Sequence, residues 1–407
     1  MDEVKLSLLN IVGYQLFGGV RPEVCADIRA VLREAKAQTV YAAVFPFLQD
    51  ELMSGFPDDY KSAQEDFFRN VIINTNNFQE HGELHELMER QGIPYVAIKG
   101  LSSAAYYPEP SLREMGDVDF LVYERDFERA KQAVLGIGFA VDHGDDDKGI
   151  HIAFKRDPMS IWEQHRSING IPEGDVGKLI QREIDSTIET ARMITLDGTA
   201  CRVPDTFHHG LIILLHMISH MTSEGIGLRH LSDWAVFVNR LTDDEFYELF
   251  ADKFKTFGVW KYAQIMTCVS EKYLGVGHKR WAENKEINDE LLRGVIADIM
   301  SGGNFGKKDA NRYREIKYIS NRGERTVDNK NVIAQAFGTL NQKTYADYPW
   351  IEKRKFFLPI GWTAEGGRYV GLLIKGERKS KGTSEMLKEA ARRKDIYSMM
   401  DLFEVDD

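Results

Sequence analysis

Cysteine is scarce. Three residues, Cys25, Cys201 and Cys268, are scattered through 407 positions. An odd number at that spacing excludes a disulfide framework and a Cys-based zinc knuckle. Long hydrophobic runs are missing too: nothing approaches the roughly 18 apolar residues that a bilayer-spanning helix needs. The opening Met1-Asp2-Glu3-Val4-Lys5 lacks the basic start of a secretory signal. A cytoplasmic protein with no membrane partner is the expectation. Positive charge is in deficit, with 52 Lys and Arg against 63 Asp and Glu and a net charge of −11, which disfavours a general nucleic-acid binder. Internal repeats and low-complexity segments are absent. What remains, 43% hydrophobic and 11% aromatic, is the composition of a globular protein long enough for two or three packed domains.

Helical spacing governs the N-terminal third: Val24, Ile28, Val31 and Leu32 within 22–49, then Phe67, Val71, Ile72, Phe78, Leu84 and Leu87 within 58–90. Gly92-Ile93-Pro94 stops the second helix and launches a strand at 95–98. Helices at 101–107 and 124–135, strands at 150–155 and 160–165, and a hairpin around Asp197-Gly198 make 93–203 an α/β region. From 205 onward helix follows helix, at 207–221, 228–241, 259–274 and 288–300. Thr242 and Glu245 form a capping box, and a last helix starts at 384. Residues 321–343 are less regular, and 348–362 is aromatic and Pro-containing. The reading is an α+β chain: a helical segment at 1–92, a small mixed-sheet core at 93–203, and a helical domain with a C-terminal extension at 204–407.

Chemistry concentrates in Ala97-Ile98-Lys99-Gly100-Leu101-Ser102, Arg113 and Gly116-Asp117-Val118-Asp119-Phe120-Leu121-Val122. Side chains alternate along a strand, so Asp117 and Asp119 point the same way at its start. Two adjacent carboxylates repel unless a cation sits between them. A hard divalent ion suits that pair, Mg²⁺ first with Mn²⁺ as the alternative, and Mg²⁺ so held usually also holds substrate phosphates.

These residues, followed by a helix ending at Gly138-Phe139, resemble the DNA polymerase β-like nucleotidyltransferase superfamily. More narrowly the chain resembles an uncharacterised bacterial nucleotidyltransferase family, through Lys99-Gly100, Tyr106-Tyr107-Pro108, Arg113, Asp117-Val118-Asp119 and Glu163-Gln164-His165. His216, His220, Arg229, Asp233 and Gly303-Asn304-Phe305-Gly306 resemble that family's helical region. The resemblance implies a metal-dependent enzyme that moves a nucleoside monophosphate from an NTP to an acceptor hydroxyl and releases pyrophosphate. In it Asp117, Asp119 and Glu163 would hold two Mg²⁺ ions, with Glu163 also the base. Lys99, Gly100, Ser102, Arg113 and His216 would contact the nucleotide. The acceptor stays open among a small molecule, a sugar, a protein side chain and a tRNA end.

Rival readings remain at several positions. Arg113 is either a phosphate contact or a structural partner of the carboxylates, and His165 a packing or hydrogen-bonding residue. His216 and His220, at i and i+4, face one way, but Met217 stands where a His-Glu-x-x-His zinc site has Glu. They are expected to line the cleft or to bond Arg229 and Asp233. The basic run from Lys375 to Lys394 is either a solvated helix face or a contact for phosphate or RNA. Gly100 is followed by Leu101-Ser102 where superfamily members carry Gly-Ser or Gly-Gly. That departure favours the alternative of a catalytically silent nucleotide-binding module; a toxin-type enzyme acting on tRNA is the third reading.

Overall fold

Two short apolar strands, β1 (Tyr95–Ile98) and β2 (Val118–Val122), are buried along their whole length and begin the sheet that organises the molecule. The computed structural model describes residues 1–142, 149–306, 308 and 383–405. Among these, β3 (Ala140–Val141), β4 (His151–Asp157) and β5 (Ser160–His165) complete a five-stranded sheet in the order β1-β2-β5-β4-β3. Only β2 and β5 run parallel, and the other pairings are antiparallel. A separate hairpin pairs β6 (Arg192–Leu196) with β7 (Thr199–Val203) around Asp197-Gly198. The fold is α+β, with the mixed sheet set between helical segments.

Four helices precede the sheet: α1 (Glu3–Phe17), α2 (Ile28–Gln38), α3 (Tyr41–Gly55) and α4 (Pro57–Gln91). The single helix expected over 22–49 is therefore two. Thr39 takes a left-handed φ of 55°, and its N–H bonds back to Ala35 and Lys36, which closes α2. Inside the sheet region lie the five-residue α5 (Gly100–Ala104), α6 (Phe127–Gly136) and α7 (Asp175–Ser186). The sequence pattern left α7 unassigned. Then follow α8 (Thr206–Met221), α9 (Leu228–Asn239), α10 (Asp243–Thr256), α11 (Trp260–Leu274) and α12 (Asp289–Gly302). The Thr242–Glu245 capping box opens α10 as expected. α13 (Thr383–Ser398) is the last helix described.

Strand alternation divides the sheet between two cores. Val118, Phe120, Val122 and Trp162 pack with Leu84, Leu87 and Met88 of α4 and Val134 of α6. Val96, Ile98 and Leu121 belong to the larger core of α1–α3 and α8–α12. α8 is apolar on nearly every side and runs through that core, each fully buried Leu or Ile contributing roughly 1.5–3 kcal/mol.

Contacts divide the chain into two units, Met1–Tyr313 with Arg393–Asp407, and Arg314–Arg392. The second unit lies mostly outside the described residues, as do the stretches 321–343 and 348–362 and Lys375, Arg378, Lys379 and Lys381 of the basic run. Arg393, a member of that run, is no part of a solvated face: its Nε donates to Asp298 Oδ1 at 2.8 Å, and both side chains are 1% exposed. Tyr397 Oη lies 2.8 Å from the Met221 carbonyl oxygen and 3.2 Å from Asp298 Oδ2. No described helix is long and apolar enough to cross a membrane.

Candidate active site

The parallel pairing of β2 with β5 places Glu163 directly beside Asp119, with Ile98 of β1 on the other flank. His165, two residues on, shares their face. Asp119 Oδ1 accepts hydrogen bonds from Lys99 Nζ at 2.8 Å and from His165 Nε2 at 2.9 Å. His165 Nε2 is also 3.4 Å from Glu163 Oε2. One potential ligand atom each from Asp119, Glu163 and His165 lies within 4.8 Å of the other two. Asp117, just before β2, stands outside that trio, and its side chain makes no hydrogen bond or ion pair among the described residues; its carbonyl oxygen accepts from Asn77 Nδ2 at 2.9 Å.

The two aspartates are electrostatically unlike. Burial, with the Asp119 and Glu163 carboxylates behind it, pushes the Asp117 carboxyl above its ordinary range. Burial would do the same to Asp119. There the Lys99 ammonium and the His165 bond overcome it and hold the carboxyl far below. His165 and Lys99 move in step: burial opposes their charge, but the facing carboxylates raise both. Lys99 and Arg229 also draw the Asp117 carboxyl down, but less than burial and the two neighbouring acids push it up.

Lys99 reaches Asp119 from a strained turn. Its φ is 58° and that of Gly100 is 30°, consecutive left-handed values where β1 passes into α5. A Cβ on Gly100 would lie 3.2 Å from both Cε1 and Nε2 of the buried His81. Only glycine suits both constraints. Gly100→Ala is expected to cost about 1–3 kcal/mol and to displace Lys99, read as a lowered midpoint in urea unfolding. An unchanged midpoint would contradict the turn's role. Ser102 is buried, and its hydroxyl donates to the Lys99 carbonyl oxygen at 2.5 Å, so it braces this turn.

Helix α4 carries a buried polar stripe that fixes the rest of the loop. Asn74 Nδ2 donates to the carbonyls of Ser111 and Arg113, and its Oδ1 accepts from Met115 N at 2.9 Å. Glu80 accepts from Ser160 Oγ and from Trp162 Nε1. His81 donates through Nδ1 to the Asn77 carbonyl at 2.7 Å, and its Nε2 has no hydrogen-bond partner among the described residues. The apolar residues that announced this helix include Val71 and Ile72, which are exposed. An Asn74–Asn77–His81 stripe at i, i+3 and i+7 was the available signal.

Arg113 does not bond Asp117, Asp119 or Glu163. Its Nε and Nη2 bond both oxygens of Asp233 on α9, at 2.8 and 2.9 Å, and Tyr107 Oη adds 2.8 Å to Oδ1. Tyr106 stacks on His209 of α8 with centroids 4.6 Å apart. The Tyr-Tyr-Pro motif therefore ties the loop to the helices. His216 and His220 cluster with His230 of α9 beyond Lys99.

The profile of a family described as uncharacterised nucleotidyltransferase matches residues 25–275. The chain belongs to that family. No curated protein and no solved structure matches it. The matched span runs from α2 to the end of α11, so it takes in the strained turn, the three acids, the Arg113–Asp233 pair and the histidine cluster. Every residue described in this subsection lies within that matched span.

Proposed function

We propose that this nucleotidyltransferase follows the polymerase β-like chemistry: it transfers a nucleoside monophosphate from an NTP to an acceptor hydroxyl in the cytoplasm and releases pyrophosphate. The observation that carries the reading is the set of Asp117, Asp119 and Glu163 at one strand edge, with Asp117 short of a cationic partner. Hard oxygen donors crowded in this way fit Mg²⁺, or Mn²⁺, better than a softer ion. Bound there, such ions supply charge stabilisation for the attacking and leaving oxygens of an in-line displacement.

The chain's own residues then divide the work. Glu163, 25% exposed at its side chain, is the acid with access to an incoming hydroxyl and takes its proton. The acceptor oxygen bonds the α-phosphorus as the bond from that phosphorus to the β-bridging oxygen breaks. The electron pair leaves with pyrophosphate. Lys99 moves from Asp119 toward phosphate as a point charge, the Gly100 turn brings backbone close, and His216 faces the same space. Arg113 acts through Asp233 as a positioning residue. One observation favours the rival module that binds nucleotide without turnover: Lys99 and His165 together occupy Asp119 Oδ1.

Calorimetric titration of each NTP with Mg²⁺, paired with a pyrophosphate-release assay across candidate acceptors, tests both. Binding that disappears in the Asp117→Asn/Asp119→Asn double variant, with acceptor-dependent release, is expected. Binding unaffected by the double substitution would place the nucleotide elsewhere; binding without release for any acceptor would leave the silent module.

A further inference from the structure

The sequence offered two histidines on one helical face, and the fold adds a third. His216 and His220 stand one turn apart on α8, and His230 comes from α9. Their ring centroids are 4.4, 5.3 and 5.6 Å apart. One ring nitrogen of each lies within 4.8 Å of the other two. Three imidazoles so placed are the familiar ligand set of a zinc ion.

Two features turn this cluster away from a cation. Gly227 N–H donates to His230 Nδ1 at 3.3 Å. In the neutral ring that bond leaves the proton on Nε2, which becomes a donor instead of a metal ligand. The electrostatic field has the same sense. After burial, the Lys99 ammonium and the Arg229 guanidinium lower the proton affinity of all three rings, and Arg113 adds to this at His230. Asp119 acts in the opposite direction on His220, and Glu224 Oε2 approaches its Nδ1 only to 3.9 Å. A field that repels a proton repels a dication more strongly and draws an anion in.

We propose that His216, His220 and His230, with Lys99 and Arg229, form a polyphosphate site that takes the β- and γ-phosphates of the donor nucleotide and holds pyrophosphate as it leaves. The proposal rests on the nucleotidyl-transfer reading and extends it by naming the groups on α8 and α9 that grip the leaving group. Lys99 links the two halves, since it bonds Asp119 on one side and its charge reaches the histidines on the other.

Inorganic pyrophosphate titrated into the full-length protein, with chelator and no divalent metal, tests the site by itself. Wild type is expected to bind. His216→Phe and His220→Phe keep a ring but lose its N–H, and should weaken binding about 10–100-fold, the value of a hydrogen bond to a charged group. His220→Gln, which keeps an N–H donor, should recover much of the loss. Both positions are half-buried, and melting curves identify any variant that has lost its fold.

The Asp117→Asn/Asp119→Asn variant should bind pyrophosphate at least as well as wild type. Absence of wild-type binding, or folded Phe variants that bind like wild type, would overturn the proposal. So would a tetrahedral cobalt absorption band that vanishes in His220→Phe, which would make the cluster a metal site. Pyrophosphate binding that depends on the histidines in a protein that never turns over NTP would keep the site and remove the transfer reading. NTP turnover without such binding would remove the site alone.

Discussion

Asp117→Asn is expected to abolish nucleotidyl transfer and, at the same time, to raise the thermal midpoint. The substitution removes a carboxylate that burial and two neighbouring acids hold above its ordinary range. Relief of that crowding is worth on the order of 1 kcal/mol, a rise of about 1–2 °C in a chain of this size. Loss of one charged group from the reacting centre should cost at least about 10²–10³-fold in kcat. Asp119→Asn should lose activity and stability together, because Lys99 and His165 lose a buried ionised acceptor; about 3 kcal/mol is expected.

The pH dependence separates the two residues. Asp117 has a raised folded-state pKa, so its ionisation penalises the fold. The penalty is absent below the unfolded-state value, grows as pH rises toward the folded value, and is complete above it. The gain from Asp117→Asn should therefore appear at neutral pH and fade in acid. Asp119 has a depressed folded-state pKa. Its contribution is present above the unfolded-state value and is lost as pH falls toward the folded one. Melting curves from neutral to acid pH on wild type and both variants decide the matter. A lower midpoint for Asp117→Asn at neutral pH would mean that Asp117 is paired rather than crowded.

Asp233→Asn should be the most destabilising single change at the loop. It leaves the Arg113 guanidinium, 5% exposed, without its counter-charge, at about 3–5 kcal/mol. Burial works against the Arg113 charge and Asp233 more than offsets it in the native chain; with that carboxylate gone the guanidinium still cannot escape by losing its proton, because arginine stays protonated in proteins. Arg113→Met combined with Asp233→Leu should recover most of the loss in urea unfolding, since neither charge is then stranded. Nucleotide affinity in that double variant should stay close to wild type, because Arg113 positions the loop and does not grip phosphate. A folded double variant that no longer binds NTP would return Arg113 to the substrate.

What the sequence revealed follows from how local each feature is. The strand at 95–98 and the one ending at His165 were legible from short apolar runs, and the shared face of Glu163 and His165 from the fixed period of a strand. The Asp119–Glu163 register needed the fold, because two parallel strands 40 residues apart can pair in several registers. Arg113 finds Asp233 across 120 residues, and no spacing rule reaches that far. His230 was hidden for the same reason, sitting on a different helix from His216 and His220. On α4 the pattern misled: Val71 and Ile72 face outward, while Asn74, Asn77 and His81 are buried, because that face serves a hydrogen-bonded loop instead of an apolar core.

Asp298 and Arg393 set a timetable for the newborn chain. The guanidinium that meets Asp298 is 95 residues further along, so at ordinary rates of synthesis it emerges roughly 5–20 s later. Until then the inner face of α12 carries an acid whose burial is not yet matched, and its place against Tyr397 and Met221 cannot be taken up. The seam along α12 is thereby closed only after the turn of α13 that carries Arg393 has been made. Translation broken off between these two residues would leave a body whose sheet and acid cluster are complete but whose seam is still open, a recognisable substrate for chaperones and proteases.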